Sequence, residues 1–296
     1  MKPAPFEYHA PEAVEEALAL LDALRDEDAK VLAGGQSLMP LLNMRLARPS
    51  HVVDINGLRA LDYVAPRGED GLAVGALTRY RTLERSAAVA SGLPLLAEAL
   101  PLIGDRQIRC RGTAGGSLAH ADPAAELPLV AGALDATLTL ASVAGTRTVA
   151  AGEFFLTVLT TALEPHELLT EVCFRVPRPG AGQAFVELAR QHGAFAIVAV
   201  AAVLTLDDGR IDEARLCLGG VGPTPLRATR AEERLRGERP GAALFAEAAR
   251  LAAEDTEPSA DVHGDEAYRR EMAAVYTRRA LAVAAARAGA GPREGG

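Results

Sequence analysis

Apolar residues at Val14, Leu18, Leu21 and Leu24 recur at the spacing of one helix face, and Pro11 stands where a first turn tolerates proline, so residues 11–24 predict an amphipathic helix. The period then shortens. Residues 30–33 form a β-type run that ends in Gly34-Gly35, and residues 51–55 (HVVDI) form another that ends in Asn56-Gly57. Residues 1–57 are therefore expected to make a small α/β lobe. Short strands at 72–74 and 136–140 mix with helical stretches at 95–100 and 125–134, so residues 58–176 predict an α+β lobe. Pro177-Arg178-Pro179-Gly180 stops regular structure and marks a boundary. Beyond it, apolar runs at 202–206 and 211–218 flank Asp208-Gly209, a strong hairpin signal, and helical patterns follow at 242–254 and 266–288. Residues 177–290 are read as a third domain and 291–296 (GPREGG) as a disordered tail.

Composition narrows the function classes. With 49% hydrophobic and 24% charged residues over 296 positions, the chain can bury a sizeable core. A net charge of −8 argues against nucleic-acid binding, which needs a basic face. Glu7, Glu12, Glu15 and Glu16 interrupt the apolar run a signal peptide needs, and the longest uncharged stretch, 191–206, is too short and too rich in small residues to span a bilayer of about 30 Å. A cytoplasmic chain with no membrane span is expected. The three cysteines, Cys110, Cys173 and Cys217, lie far apart and in no CxxC spacing, so they cannot ligate an iron–sulfur cluster alone. The six histidines, His9, His51, His120, His166, His192 and His263, match no metal-ligand motif such as HExxH.

Two glycine segments carry the candidate chemistry. The first runs Leu32-Ala33-Gly34-Gly35-Gln36-Ser37-Leu38 directly after a predicted strand. Paired glycines permit positive φ and remove the Cβ atoms that hold a ligand away from the backbone, so successive N–H groups can face one anion and bind a pyrophosphate without a lysine. The second, Thr113-Ala114-Gly115-Gly116-Ser117, is read as another Gly-Gly turn; Asp122 and Glu126 follow it, two carboxylates spaced to accept hydrogen bonds from sugar hydroxyls. Asp122 reads equally well as a turn or cap residue before Pro123. Neither segment fits GxGxxG or GxxxxGK[ST], and an isolated Gly-Gly after a strand is more often a plain turn.

The segments AGGQSLMPLLNMRLARPSHVVDI (33–55), QIRCRGTAGGSLAHADPAAELP (107–128) and FVELARQHGAFAIVAVAA (185–202) resemble the FAD-binding medium subunits of molybdenum hydroxylases, the group that includes carbon monoxide dehydrogenase and the flavin part of xanthine dehydrogenase. The resemblance runs along nearly the whole chain. It implies an α+β fold: a PCMH-type two-lobed FAD-binding domain followed by a C-terminal domain with a small antiparallel sheet and a helical bundle. It also implies that Leu32 to Leu38 and Thr113 to Ser117 clasp the FAD pyrophosphate, and that Glu126 stands at the ribityl-binding carboxylate, where Asp is more usual. By the same resemblance the backbone of Leu168 and Leu169 touches the flavin and Phe195 lies against its ring. From the residues alone, Leu168 and Leu169 start a strand and Phe195 is core. Where some relatives carry a lysine beside the isoalloxazine this chain has Glu187, which cannot stabilise negative charge there; Arg190 is the substitute cation.

The implied role is electron transfer. Substrate is hydroxylated at molybdopterin on a large subunit, electrons cross [2Fe–2S] clusters on a small subunit, and this chain's non-covalent FAD passes them to an external acceptor, in a dimer of heterotrimers. The variant with an inserted [4Fe–4S] site is excluded by the lack of a cysteine-rich insertion. Two other readings stand beside it: a self-sufficient PCMH-type oxidase, for which Gln36 occupies the tether position without a nucleophile, and a non-enzymatic assembly protein, which would not need both glycine segments.

Overall fold

The computed structural model describes residues 2–288; the expected tail at 291–296 lies outside the described residues. The first sheet holds three parallel strands, Glu7–His9, Ala29–Leu32 and His51–Asp54, with the last in the middle. Parallel strands need crossovers: the helix Val14–Ala23 joins the two edge strands, and the segment carrying the helix Leu38–Asn43 joins Ala29–Leu32 to the central strand beside it. Ala17 and Leu21 of the first helix are buried against Val53, Ile55 and Leu58.

The second sheet is antiparallel, in the order Val64–Arg67, Gly71–Gly75, Leu168–Arg175, Thr137–Ser142, Gly145–Ala150. Its central strand arrives last in sequence. The helices Pro94–Ala99, Ala114–His120 and Glu126–Ala133 pack beside it. Nearly every residue of Glu126–Ala133 is buried, because the third sheet covers its other side, which explains a helix sequence that is apolar all round.

The third sheet joins Gly182–Ala189, Ala196–Asp207, Arg210–Gly219 and Leu226–Arg227, all antiparallel. Asp208 and Gly209 turn its hairpin with φ of 45° and 70°, the paired left-handed conformation that an Asp-Gly dipeptide favours. The strand Ala196–Asp207 begins earlier than the expected 202–206. It is buried without alternation from Ala196 to Thr205, since Glu126–Ala133 covers one face and Glu266–Arg287 the other. Asp135 ties the second sheet's lobe to the third sheet, with Arg227 and Arg215 of the third sheet at 2.7 and 3.3 Å and Arg175 of the second at 3.5 Å. No helix among the described residues is long and apolar enough to cross a membrane.

At Gly182 the last helix touches the sheet backbone: a Cβ there would stand 1.8 Å from the Ala284 carbonyl oxygen. Gly182→Ala must push the helix off the sheet and is expected to destabilise the chain by about 1–3 kcal/mol or more. An unchanged urea midpoint would show that this contact does not hold the domain.

Candidate functional site

The strand Ala29–Leu32 delivers Ala33, Gly34 and Gly35 to the carboxyl end of the first sheet, where the helix Leu38–Asn43 begins. The chain reverses at Gly35, whose φ of +74° is a left-handed conformation that only glycine adopts without strain. The carbonyls here are tied back. Ala33 O accepts from Asn56 Nδ2 at 2.7 Å, Gly34 O from Gln36 Nε2 at 3.1 Å and Gly35 O from the Met39 N–H at 3.1 Å. The N–H groups are not: among the described residues, no backbone carbonyl accepts from Gly34, Gly35, Gln36 or Ser37. A run of free donors with bound carbonyls is an anion site in the making.

The second segment is not the turn expected from its two glycines. Thr113 caps the helix Ala114–His120, its Oγ1 accepting from the Gly116 N–H at 3.1 Å, so both glycines lie inside the helix's first turn. The physical reason is packing: a Cβ on Gly115 would fall 2.5 Å from Ala76 Cβ, and only glycine lets the helix approach the second sheet so closely. Among the described residues four of the segment's five N–H groups are also consumed, that of Thr113 being the exception. Ala114 N–H bonds to Thr78 O, Gly115 N–H to Ala76 O and Ser117 N–H to Thr113 O. The second segment therefore offers a glycine surface and the Ser117 hydroxyl, while the run of consecutive free backbone donors comes from the first.

The two segments meet. A Cβ on Gly34 would stand 2.4 Å from the Arg111 carbonyl oxygen, and one on Gly116 would touch the Ala33 methyl at 3.6 Å. Arg79 fastens this junction, donating to Asn56 Oδ1 at 2.6 Å and to the Arg111 carbonyl. Tyr80 packs on Gly112, where a Cβ would be 2.6 Å from its ring. Asn56, Arg79 and Tyr80 were not singled out from sequence. Asn56 read as the end of a strand, and nothing in the spacing of Arg79 and Tyr80 points to segments more than thirty residues away.

Behind the junction lie acids. Asp122 accepts from the Ala124 N–H at 2.9 Å, which is the turn role available to it before Pro123. Glu126 opens its helix almost wholly buried; burial, with the negative charges of Glu187 and Asp122 added, pushes its carboxyl up to about 8. It is a protonated acid at neutral pH, able to donate as well as accept. Burial likewise pushes Glu187 up to about 7, and its Oε2 is enclosed with no hydrogen-bond partner among the described residues. Burial raises the Tyr80 phenol too, against a hydrogen bond from Ser117 and with the charge of Glu126 adding to the rise, which places Tyr80 between the second segment and the acids.

The remaining candidates divide. Leu168 and Leu169 are buried strand residues; Leu168 packs in the cluster that holds Ala17, Leu21 and Val53 and Leu169 in the cluster that holds Val74, Leu118 and Leu138, so this strand start lies between the two. Phe195, expected from its neighbours to be core, is 64% exposed in the connection between Gly182–Ala189 and Ala196–Asp207. Arg190 is exposed in the same connection. Gly193, with φ of +77°, fits this connection against Gly104, whose carbonyl oxygen would meet a Cβ at 2.7 Å. Cavities of about 340 and 270 Å³, one between the two C-terminal helices and one under Arg227, touch none of these residues.

A row of backbone donors without lysine suits a diphosphate, and a buried protonated carboxyl suits polyol hydroxyls; these residues fit FAD. Residues 4–179 match the family described as "FAD binding domain in molybdopterin dehydrogenase", and 183–284 match "CO dehydrogenase flavoprotein C-terminal domain". The chain is 42% identical over 289 residues to the 6-hydroxypseudooxynicotine dehydrogenase complex subunit alpha of Paenarthrobacter nicotinovorans, covering 97% of each. It is 40% identical over 288 residues to the carbon monoxide dehydrogenase medium chain of Afipia carboxidovorans, covering 97% of this chain and 99% of the relative. A solved carbon monoxide dehydrogenase chain from Hydrogenophaga pseudoflava superposes with a TM-score of 0.94 at 41% identity, over 97% of this chain and all of that one. The chain belongs to the FAD-binding medium subunits of the molybdenum hydroxylase family and is an oxidoreductase component.

Proposed function

We propose that this chain holds FAD non-covalently across the two glycine segments and relays electrons from the [2Fe–2S] clusters of a small partner subunit to an external acceptor, in a dimer of heterotrimers whose large subunit binds molybdopterin. The observation that carries the reading is the set of four consecutive N–H groups at Gly34 to Ser37, left free beside a segment that contains no thiol or imidazole. Bound there, the flavin would supply the redox chemistry, and the protein supplies position and electrostatics.

The residues divide the work. Leu32 to Leu38 bind the diphosphate, and Gly116 leaves room for it. Asn56 and Arg79 hold the two segments in register. Glu126 keeps its proton and presents it to the ribityl hydroxyls. The backbone of Leu168 and Leu169 borders the ring system, and Phe195, already free of the core, stacks on it. Glu187 is held back from full ionisation by its burial, which limits the negative charge near the ring, and Arg190 provides the compensating cation.

Exposed Leu156, Val158 and Leu159 on the hairpin Phe155–Thr157 and Thr160–Thr161 support a partner contact beside this site, since the Leu159 N–H bonds to the Ala121 carbonyl at the end of the second glycine helix. Relatives named for substrates as unlike as carbon monoxide and 6-hydroxypseudooxynicotine support a substrate pocket on another chain. The unpaired thiols Cys110, Cys173 and Cys217 support work in the cytoplasm.

Acid denaturation of the yellow protein is expected to release all flavin, at one FAD per chain. Flavin retained in the acid pellet would favour the self-sufficient oxidase, and a chain that cannot be loaded with FAD would favour the assembly protein.

A further inference from the structure

The amino ends of the first sheet's strands lie opposite the glycine segment, and they gather two histidines and two glutamates. Glu7 and His51 are paired across parallel strands, His9 lies two residues along from Glu7 on the same face, and Glu27 precedes the strand whose Ala29 also pairs with His51. His9 Nε2 is 3.1 Å from His51 Nδ1. The Glu7 carboxylate faces both, with Oε1 3.8 Å from His9 Nε2 and Oε2 3.7 Å from His51 Nδ1. The other nitrogen of His51, Nε2, is 3.0 Å from Glu27 Oε2.

We propose that His9, His51 and Glu7 form a binding site for a divalent late first-row cation, with Glu27 as the carboxylate that orients His51. Three ligand atoms, one from each residue, lie within 4.8 Å of one another. Two ligands about 2.0–2.1 Å from a tetrahedral zinc ion stand roughly 3.4 Å apart, so the imidazole nitrogens already have the required separation and the carboxylate needs only a small side-chain rotation. The Glu27 contact fixes the tautomer. A proton on His51 Nε2, donated to Glu27, leaves the Nδ1 lone pair facing His9 and Glu7, which is the carboxylate–histidine–metal arrangement. Both imidazoles are largely enclosed, with side chains 19% and 13% exposed, while Glu7 is mostly open to solvent, so a water can complete the coordination.

A cation here would tie the three-residue edge strand Glu7–His9 to the centre of the sheet that carries the glycine segment. Its role is structural and separate from the flavin. Two imidazoles and a carboxylate select zinc-like ions over magnesium or calcium, and binding requires neutral imidazoles, so affinity falls as pH drops.

The test is calorimetric titration of the untagged, chelator-treated full chain with zinc chloride, alongside its thermal midpoint. One zinc per chain is expected, with a raised midpoint. Glu27→Gln should weaken binding about 10- to 100-fold, as loss of an outer-shell partner does. His9→Ala and His51→Ala should each abolish it while FAD content stays at the wild-type level. If a histidine variant also loses FAD, the carboxylate variants decide, because Glu7→Gln and Glu27→Gln alter only half-exposed or exposed groups. No zinc bound by the wild type, or zinc affinity unchanged in both carboxylate variants, overturns the site.

Discussion

Gly35→Val is expected to give a folded chain that has lost most of its FAD. The backbone at Gly35 is left-handed, and a valine held there costs on the order of 1–3 kcal/mol. The added Cβ would meet Met39 Cγ at 3.1 Å and Leu32 Cδ1 at 3.3 Å, side-chain atoms that can shift where backbone could not, so the lobe should survive. The N–H groups on either side would not keep their direction. Hydrogen bonds to a charged phosphate contribute about 1.5–3 kcal/mol each, so misaligning two of them lowers FAD affinity roughly 100-fold or more. Gly115→Val should behave differently, failing in the fold itself, because its Cβ would drive into Ala76 backbone and side chain at 2.5–2.9 Å. Flavin absorbance per chain, read beside circular dichroism, separates the two effects. Full flavin occupancy in Gly35→Val would rule out the first segment as the phosphate cradle.

The second large effect is on stability against pH. Glu126 has its carboxyl raised from 4.5 to about 8 by burial, and Glu187 from 4.5 to about 7. A group whose folded pKa is raised stabilises the fold below its unfolded pKa and loses that contribution as pH rises through the folded value. The flavin-free chain should therefore weaken progressively between about pH 4.5 and 8: Glu126 contributes about 1.4 kcal/mol for each pH unit over the whole interval, a few kcal/mol in all, and the less buried Glu187 adds a smaller, solvent-screened slope up to about pH 7. Glu126→Gln keeps a donor and an acceptor but cannot ionise against Glu187 and Asp122. Its urea midpoint should fall less over the same interval, with Glu187 supplying a residual slope that ends near pH 7, and at pH 8 it should be the more stable protein. Parallel curves for the two proteins would mean that Glu126 does not titrate in this range.

Local chemistry was legible where the sequence alone determines it. The Asp208-Gly209 turn, the helix Ala242–Glu254 and the Gly34-Gly35 reversal each follow from residues that favour one backbone conformation. The second glycine pair was not legible. Ala-Gly-Gly-Ser has the composition of a turn, and only the approach of Gly115 to Ala76 explains why a helix carries two glycines in its first turn. Phe195 shows the same limit of local reading: an aromatic before an Ala/Val-rich strand resembles core from its neighbours alone, and only the flavin role implied by the resemblance asks for exposure, which the register shift between Leu188 and Ala189 and the left-handed Gly193 give the connection. The roles of Asn56 and Arg79 depend on contacts between segments distant in sequence. The same distance hid His9 and His51, which no ligand spacing links and which parallel pairing places side by side.

The subunit role is tested most directly by substrate-dependent reduction of an electron-accepting dye, measured with the purified FAD-loaded chain alone and again after co-expression with its molybdenum and iron–sulfur partners. The chain alone should bind FAD yet turn over no carbon monoxide, aldehyde or N-heterocycle, and activity should appear only with the partners. Substantial turnover by the isolated, metal-free chain would contradict the relay and place the reaction on this chain's own site.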